Sequence, residues 1–231
     1  MPNKKIAKNF PAKPCTVGVI DSSASLRSAM GLVPGSLDYL EIRADAFVDC
    51  EDTILHQLPK LKFPLIITVR HFSEGGRNRL TTAARRDLFG KFLPHAAMVD
   101  IELRSAKVLA DVLQTARKGK IISIVSHHDF RRTPSLKRLR SLARAAKRTG
   151  ADIFKIAAVT SQPADIATLL AFQHSQKIMP FSVMGMGRFG KVSRLLFAQA
   201  GSLLNYGFLD VAQVSGQWPA TLLKKRIEEL I

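Results

Sequence analysis

Residues 121–156 read IISIVSHHDFRRTPSLKRLRSLARAAKRTGADIFKI, and this stretch decides the fold. It begins with a short apolar, β-branched run at 121–126 and ends with a second such run at 152–156. Between them, residues 135–149 carry leucine and alanine at helical spacing, and Gly150 marks the joint before the second run. A strand, a helix and a second strand in this order predict a parallel βαβ unit.

The same alternation continues along the rest of the chain. Apolar runs typical of strands occur at 15–20, 39–43, 64–69, 97–102, 121–126, 152–156, 180–184 and 209–213. Helix-period segments lie between most of them, for example at 52–60, 82–92, 105–117, 135–149, 163–173 and 193–204. Eight such strands in 231 residues predict a single-domain α/β (β/α)8 TIM barrel over residues 14–231. Because periodicity does not show closure, an open doubly wound sheet stays an alternative.

Composition and charge narrow the class of protein. Residues 1–13 are basic and proline-punctuated, and we interpret them as a flexible arm without the apolar segment of a secretory signal. The two cysteines, Cys15 and Cys50, are too few for a disulfide framework, which favours the cytoplasm. No apolar stretch approaches the ~20 residues of a membrane span. The net charge of +17 suits an anionic substrate and, at most, nonspecific nucleic-acid binding.

Lys155 is the most unusual residue of these predicted strands, because it lies inside the apolar run 151–159. Lysine is almost never fully buried unless it is paired. Burial of a lysine disfavours the charged form, and a neutral amine can attack a ketone to form a Schiff base. The alternative is an ordinary lysine at a strand end whose amine reaches solvent.

Other ionisable residues follow several of the predicted strands. In a (β/α)8 barrel the carboxyl ends of the strands meet at the catalytic face. The candidates at this face are Glu41, Arg43, Asp45, Arg70, Glu74, Asp100, Glu102, His127, His128, Asp129 and Lys155. Each taken singly has a structural explanation, such as a salt bridge or a cap. A lysine, a histidine and a carboxylate at one rim suit imine chemistry with proton transfer.

An ordered set of short motifs runs through nearly the whole chain after the arm. The motifs are Glu41-x-Arg43-x-Asp45, Thr68-x-Arg70-x-x-x-Glu74-Gly75-Gly76, Asp100-Ile101-Glu102-Leu103, Ser126-x-His128-Asp129-Phe130-x-x-Thr133-Pro134, Ala151-Asp152-x-x-Lys155-Ile156-Ala157, Met184-x-Met186-x-x-x-Gly190-x-x-Ser193-Arg194, Gly201-Ser202 and Gly216-Gln217. In this set the chain resembles type I 3-dehydroquinate dehydratase, the Schiff-base-forming enzyme of the shikimate pathway. Each motif alone is weak, but the ordered set is highly specific.

The resemblance implies a role for each matching residue. The imine-forming lysine falls on Lys155, the proton-shuttling histidine on His128, and the glutamate that pairs with that histidine on Glu74. The substrate-binding positions fall on Glu41, Arg43, Arg70, Arg194 and Gln217. The resemblance also implies a (β/α)8 barrel, a homodimer, 3-dehydroquinate as substrate, and no metal or organic cofactor.

One loop departs from the family pattern. The family typically has Ser-Ala-Pro-Gly-Gln where this chain has Gln213-Val214-Ser215-Gly216-Gln217. The amide of Gln213 therefore replaces a hydroxyl, and we include Gln213 among the expected substrate contacts. His127 faces away from His128 if the segment is extended, so we interpret it as a bystander.

Two other functions remain open to the sequence alone. A class I aldolase also uses a lysine in a barrel, although the Ser-x-His-Asp-Phe and Glu-Gly-Gly motifs favour a dehydratase. A basic, nonenzymatic barrel that binds nucleic acid would account for the charge. An aromatic-rich basic patch would support that function, but the chain has only two tyrosines and one tryptophan.

Overall fold

The computed structural model describes residues 13–230, so most of the predicted arm at 1–13 lies outside the described residues. Within this range the chain forms eight parallel strands and eight α-helices in alternation. The strands are β1 (Cys15–Ile20), β2 (Tyr39–Arg43), β3 (Leu65–Thr68), β4 (Ala96–Glu102), β5 (Ile122–Asp129), β6 (Ile153–Val159), β7 (Phe181–Met186) and β8 (Leu204–Phe208). The helices are α1 (Ser23–Met30), α2 (Glu51–Gln57), α3 (Thr82–Phe92), α4 (Ala110–Lys118), α5 (Leu136–Arg148), α6 (Pro163–Ser175), α7 (Gly190–Gln199) and α8 (Ala220–Glu228).

The strands form a barrel, as the sequence predicts. Each strand from β1 to β7 pairs with its neighbour in the chain, and β8 pairs with β1. At the seam between β7 and β8, backbone N–H groups donate hydrogen bonds to two serine hydroxyl groups. The backbone N–H of Leu204 donates to Ser182 Oγ at 2.9 Å, and the N–H of Val183 donates to Ser202 Oγ at 2.9 Å. The open-sheet alternative is therefore wrong.

Alternation along β6 shows how the barrel divides its side chains between two layers. Phe154 and Ile156 point outward and are buried against helices α5 and α6 with Leu142 and Phe172. Ile153 and Ala157 belong instead to the cluster inside the barrel. Because successive side chains of a strand point to opposite faces, Lys155 shares the inner face with Ile153 and Ala157.

The eighth strand lies earlier in the chain than its predicted position. The strand predicted at 209–213 is wrong, because β8 is Leu204–Phe208 and residues after it form a loop. Asn205 breaks the apolar pattern of β8, yet its side chain is buried and donates to the carbonyls of Cys15 and Ser202. The predicted helix at 193–204 is likewise displaced, since α7 ends at Gln199.

Two further boundaries differ in a way that matters for the site. β5 continues to Asp129, so His127 and His128 lie within the strand. β6 continues to Val159, which places Lys155 third of seven residues and not at the strand end. No described helix is long and apolar enough to cross a membrane.

Candidate active site

A cavity of about 180 Å³ opens toward the carboxyl ends of the strands. Its lining includes all nine residues that the sequence analysis assigns to the site, namely Glu41, Arg43, Arg70, Glu74, His128, Lys155, Arg194, Gln213 and Gln217. His127 is not among the lining residues, as the alternation of β5 requires. The fold thus brings the expected residues together from β2, β3, β5 and β6 or the loops that follow them, from helix α7 and from the loop after β8.

Lys155 lies at the bottom of this cavity with only 3% of its surface exposed. Its Nζ donates to Asp100 Oδ2 at 2.7 Å and lies 3.8 Å from Glu41 Oε1. The ammonium also lies 3.9 Å from the centre of the Tyr206 ring, a cation–π contact. Two carboxylates and an aromatic face therefore compensate for the burial of this cation.

Asp100 joins Lys155 to a second buried cation. Arg70 donates to both Asp100 oxygens at 3.1 Å and to Ser126 Oγ at 2.7 Å. Arg70 also pairs with Glu102 at 3.3 Å. Burial raises the pKa of Asp100, but the charges of Arg70 and Lys155 outweigh burial and hold that pKa well below its usual range. Asp100 is therefore a fixed negative charge beside the lysine.

Glu74 and His128 form the second unit of the site. A short turn at Phe72–Glu74 follows β3 and ends at Gly75, whose φ of 87° suits glycine. This turn brings Glu74 Oε2 to 2.9 Å from the backbone N–H of His128 and 3.0 Å from His128 Nδ1. When Glu74 is ionised, Nδ1 carries the proton and Nε2 is left as the basic nitrogen.

Burial changes the protonation of this pair in two ways. Desolvation raises the pKa of Glu74 to about 7, although the charge of Arg70 opposes the rise. Desolvation and then the charges of Arg70 and Lys155 lower the pKa of His128 well below its usual value. His128 is therefore neutral near pH 7, the state that a general base requires.

Arg194 is a buried cation without a carboxylate partner among the described residues. Its Nη1 donates to the carbonyl of Tyr206 at 2.8 Å, and its Nε is buried without a hydrogen-bond partner. Burial lowers the pKa of Arg194 to about 10. A guanidinium held in this way in a cavity wall is suited to a carboxylate ligand, which would supply both the missing charge and the missing acceptor.

The last loop closes one side of the cavity. Gln217 Oε1 accepts from the backbone N–H groups of Gln213 and Val214 at 2.7 and 3.4 Å. The Gln213 amide donates to the carbonyl of Val211 at 3.1 Å, while its Oε1 is buried and unpaired. Gln217 therefore orders the loop, and Gln213 has an acceptor to offer to a ligand.

Two predicted substrate contacts have protein partners of their own. Arg43 forms a two-pronged pair with Asp45 at 2.8 and 2.9 Å and donates to the Gly75 carbonyl at 2.8 Å. Glu41 accepts from Thr68 Oγ1 at 2.7 Å. These contacts position the turn that carries Glu74 and the carboxylate near Lys155. Substrate contact by these two residues stays a prediction.

Two residues that touch Lys155 were not predicted as site residues. Asp100 was expected only as a carboxylate at a strand end, and the motif Asp100-Ile101-Glu102 was the available signal. Tyr206 was missed because the eighth strand was predicted too late in the chain. Within residues 13–230 no group of three or more His, Cys, Asp or Glu side chains is arranged to hold a metal ion.

Comparisons with known proteins agree with this geometry. The sequence model of the family described as Type I 3-dehydroquinase matches residues 15–229. A 3-dehydroquinate dehydratase from Methanocella arvoryzae is 33% identical over 210 residues, which cover 90% of this chain and 92% of that protein. A catabolic 3-dehydroquinate dehydratase from Acinetobacter baylyi is 32% identical and covers 81% of this chain and 74% of its own.

Solved structures give the same relationship. The crystal structure of 3-dehydroquinate dehydratase from Geobacillus kaustophilus superposes with a TM-score of 0.85 at 28% identity, covering 94% of this chain and 91% of that one. A type I 3-dehydroquinate dehydratase from Clostridium difficile with covalently modified comenic acid has a TM-score of 0.85 at 25% identity. That match covers 95% of this chain and 93% of the other.

Proposed function

We infer the reaction from the family: the chain belongs to the type I 3-dehydroquinase family and is accordingly a dehydratase of 3-dehydroquinate, an enzyme of the shikimate pathway. We propose that it converts 3-dehydroquinate to 3-dehydroshikimate through a Schiff base on Lys155, with His128 as general acid and base. One observation carries this proposal. A buried lysine, a neutral histidine and a buried guanidinium line the same small cavity, and no carboxylate among the described residues pairs with that guanidinium.

The first half of the reaction uses Lys155. Its ammonium gives one proton to His128, and the resulting amine attacks the C3 ketone of the substrate to form a carbinolamine. His128 returns the proton to the carbinolamine hydroxyl, which leaves as water and gives an iminium ion. That ion keeps a positive charge at the position of the ammonium, where Asp100 lies 2.7 Å and Glu41 3.8 Å from Nζ. Both carboxylates therefore stabilise the intermediate through charges that are already in place.

The second half uses His128. The iminium acidifies the C2 hydrogen, and Nε2 removes it to give an enamine. The same imidazole then protonates the C1 hydroxyl, which leaves as water. Glu74 holds Nδ1 and so keeps the correct nitrogen free. Hydrolysis of the imine releases 3-dehydroshikimate and restores the amine. Arg194 binds the substrate carboxylate throughout.

An enone assay tests the activity. The product has a conjugated enone, so its absorbance should grow when the enzyme meets 3-dehydroquinate. Lys155→Ala should abolish this growth. Lys224→Ala is a matched control, because Lys224 also donates to a carboxylate, Asp38, at 2.7 Å, and it does not line the catalytic cavity. An active Lys155→Ala variant, or wild type that cleaves a C–C bond instead, would contradict the proposal.

We also propose a homodimer in the cytoplasm. The family resemblance supports the dimer, and α7 exposes 54% of Val192 and 38% of Leu196, one turn apart. The two free cysteines support a reducing compartment. Light scattering after gel filtration should give about 51 kDa, twice the 25.4 kDa of the chain. A mass of one chain at micromolar concentration would contradict the dimer.

A further inference from the structure

Helix α5 carries a continuous basic stripe on its outer side. Leu139, Leu142, Ala143 and Ala146 are buried against the barrel. The stripe consists of five exposed residues, namely Lys137, Arg140, Arg144, Lys147 and Arg148. At 100° per residue these five lie within one sector of about 100°, on the opposite side of the helix from the buried residues. They span eleven steps of about 1.5 Å, or about 16 Å.

No carboxylate compensates this stripe among the described residues. None of its five side chains takes part in an ion pair, and the one hydrogen bond is from Arg140 Nε to the neutral Ser175 Oγ at 3.3 Å. The acidic residues that follow in sequence are engaged elsewhere. Asp152 accepts from Ser123, and Asp165 accepts from the backbone N–H groups of Ser161 and Gln162. Like charges three and four residues apart destabilise a helix, so the stripe works against folding.

The catalytic site does not use the stripe. None of its five residues lines the cavity, and the anion-binding guanidinium of the site is Arg194 on α7. A small substrate with a single carboxylate also needs far fewer cations. The stripe is therefore available to a second, larger and more highly charged ligand.

The side chains exposed on α5 indicate which class of ligand the stripe binds. No large apolar side chain of α5 is exposed, whereas protein interfaces and membrane-binding helices both need apolar contact. Binding to a phosphate backbone needs only cations. Along a duplex, each strand presents one phosphate per ~3.4 Å of axis, so about 16 Å of helix passes about five phosphates. The stripe offers five cations over that length.

We propose that the α5 stripe is a sequence-independent binding surface for the phosphate backbone of double-stranded nucleic acid. This surface is separate from catalysis. The protein contacts about five phosphates through Lys137, Arg140, Arg144, Lys147 and Arg148, and contributes no base-specific contact. The net charge of +17 then serves this second interaction as well as the attraction of an anionic substrate.

Fluorescence anisotropy with a labelled 20-base-pair duplex of mixed sequence tests the proposal on the full chain. Wild type should bind, and the logarithm of its affinity should fall against the logarithm of salt with a slope of about −4.5, since each contacted phosphate contributes about −0.9. Changing all five stripe residues to glutamine should weaken binding at 50 mM salt by at least about tenfold and flatten the slope. Glutamine keeps the helix propensity.

A matched control separates the stripe from net charge alone. Arg27, Lys60, Lys62, Lys107 and Lys225 are exposed cations outside α5. Changing these five to glutamine gives the same net charge as the stripe variant, 17 − 5 = +12. This variant should bind the duplex like wild type. Both variants should keep wild-type turnover of 3-dehydroquinate and far-UV circular dichroism, which shows that they fold.

Four outcomes would overturn the proposal. The first is that wild type does not bind the duplex at 50 mM salt. The second is that the two variants lose affinity equally, and the third is that the stripe variant binds like wild type. The fourth comes from sedimentation with phosphatidylserine vesicles. Stripe-dependent binding to vesicles without stripe-dependent binding to the duplex would assign the surface to a membrane and also overturn the proposal.

Discussion

Lys155 Nζ lies 2.7 Å from Asp100 Oδ2, and both side chains are buried inside the barrel. The ion pair brings together β6 and β4, two strands with β5 between them. Asp100 also accepts hydrogen bonds from both terminal nitrogens of Arg70. The lysine is therefore held by a carboxylate that a second cation fixes in place.

Asp100→Asn should slow formation of the iminium, because the variant keeps the shape of the side chain but removes the charge that stabilises the cation. We expect turnover to fall by about 10²-fold, the usual effect of removing one preorganised electrostatic contact. Rapid-quench borohydride trapping measures the step directly. Ser126→Ala is the control, since it removes only the hydroxyl that donates to Asp100 at 2.6 Å. Equal losses in the two variants would mean that charge is not the cause.

His128→Ala should lose turnover by about 10²–10⁴-fold, the usual worth of general acid–base catalysis, while the lysine still forms the imine. His127→Ala should stay close to wild type, because its side chain lies on the other face of β5 and outside the cavity. Steady-state rates together with mass spectrometry of the reduced adduct separate the two effects. Similar losses in both variants would mean that the wrong histidine has been assigned.

Glu74→Gln should stabilise the protein while it lowers activity. The pKa of Glu74 rises from 4.5 to about 7 on folding, so stability due to this group is lost as pH rises from about 4.5 through about 7. Above pH 7, ionisation of the buried Glu74 therefore lowers the free energy of unfolding of the wild type by its full amount, at most about 3 kcal/mol. Urea unfolding should therefore show a larger gain for Glu74→Gln at pH 8 than at pH 5. A gain of equal size at both pH values would contradict the raised pKa.

Gln213→Ala should raise the Michaelis constant about three- to tenfold with a smaller change in turnover, which is the expected worth of one neutral hydrogen bond. The unpaired, buried Oε1 of Gln213 is the atom that would bind the substrate. Gln217→Ala should raise the Michaelis constant at least as much, because Gln217 accepts hydrogen bonds from two backbone N–H groups of the loop. The two losses should be non-additive. Unchanged kinetics in Gln213→Ala would show that this amide does not touch the substrate.

The sequence was sufficient for the barrel because seven of its eight strands are apolar runs bounded by helix-period segments. It failed at β8, where Asn205 and Gly207 interrupt the apolar pattern. What makes this segment a strand is its pairing with β1, with Cys15 opposite Leu204 and Val19 opposite Phe208, and that pairing is not visible in local composition. Because β8 was predicted too late in the chain, Tyr206 was not predicted to lie in a strand of the barrel.

The individual site residues were predictable because they form ordered motifs, but their partners were not. Lys155 and Asp100 are 55 residues apart, and the pairing of β4 and β6 with β5 brings them together. Glu74 and His128 are likewise distant in the sequence, 54 residues apart. A lysine in an apolar run indicates that its buried charge needs a partner, but the run does not indicate which carboxylate is that partner.

Borohydride reduction in the presence of 3-dehydroquinate, followed by peptide mass mapping, tests the central claim most directly. Reduction converts an imine to a stable secondary amine, so the substrate-derived mass should appear on the peptide that contains Lys155, with parallel loss of activity. Lys224→Ala should label like wild type, and Lys155→Ala should not label. A label on another lysine, or inactivation without any label, would contradict the Schiff base on Lys155.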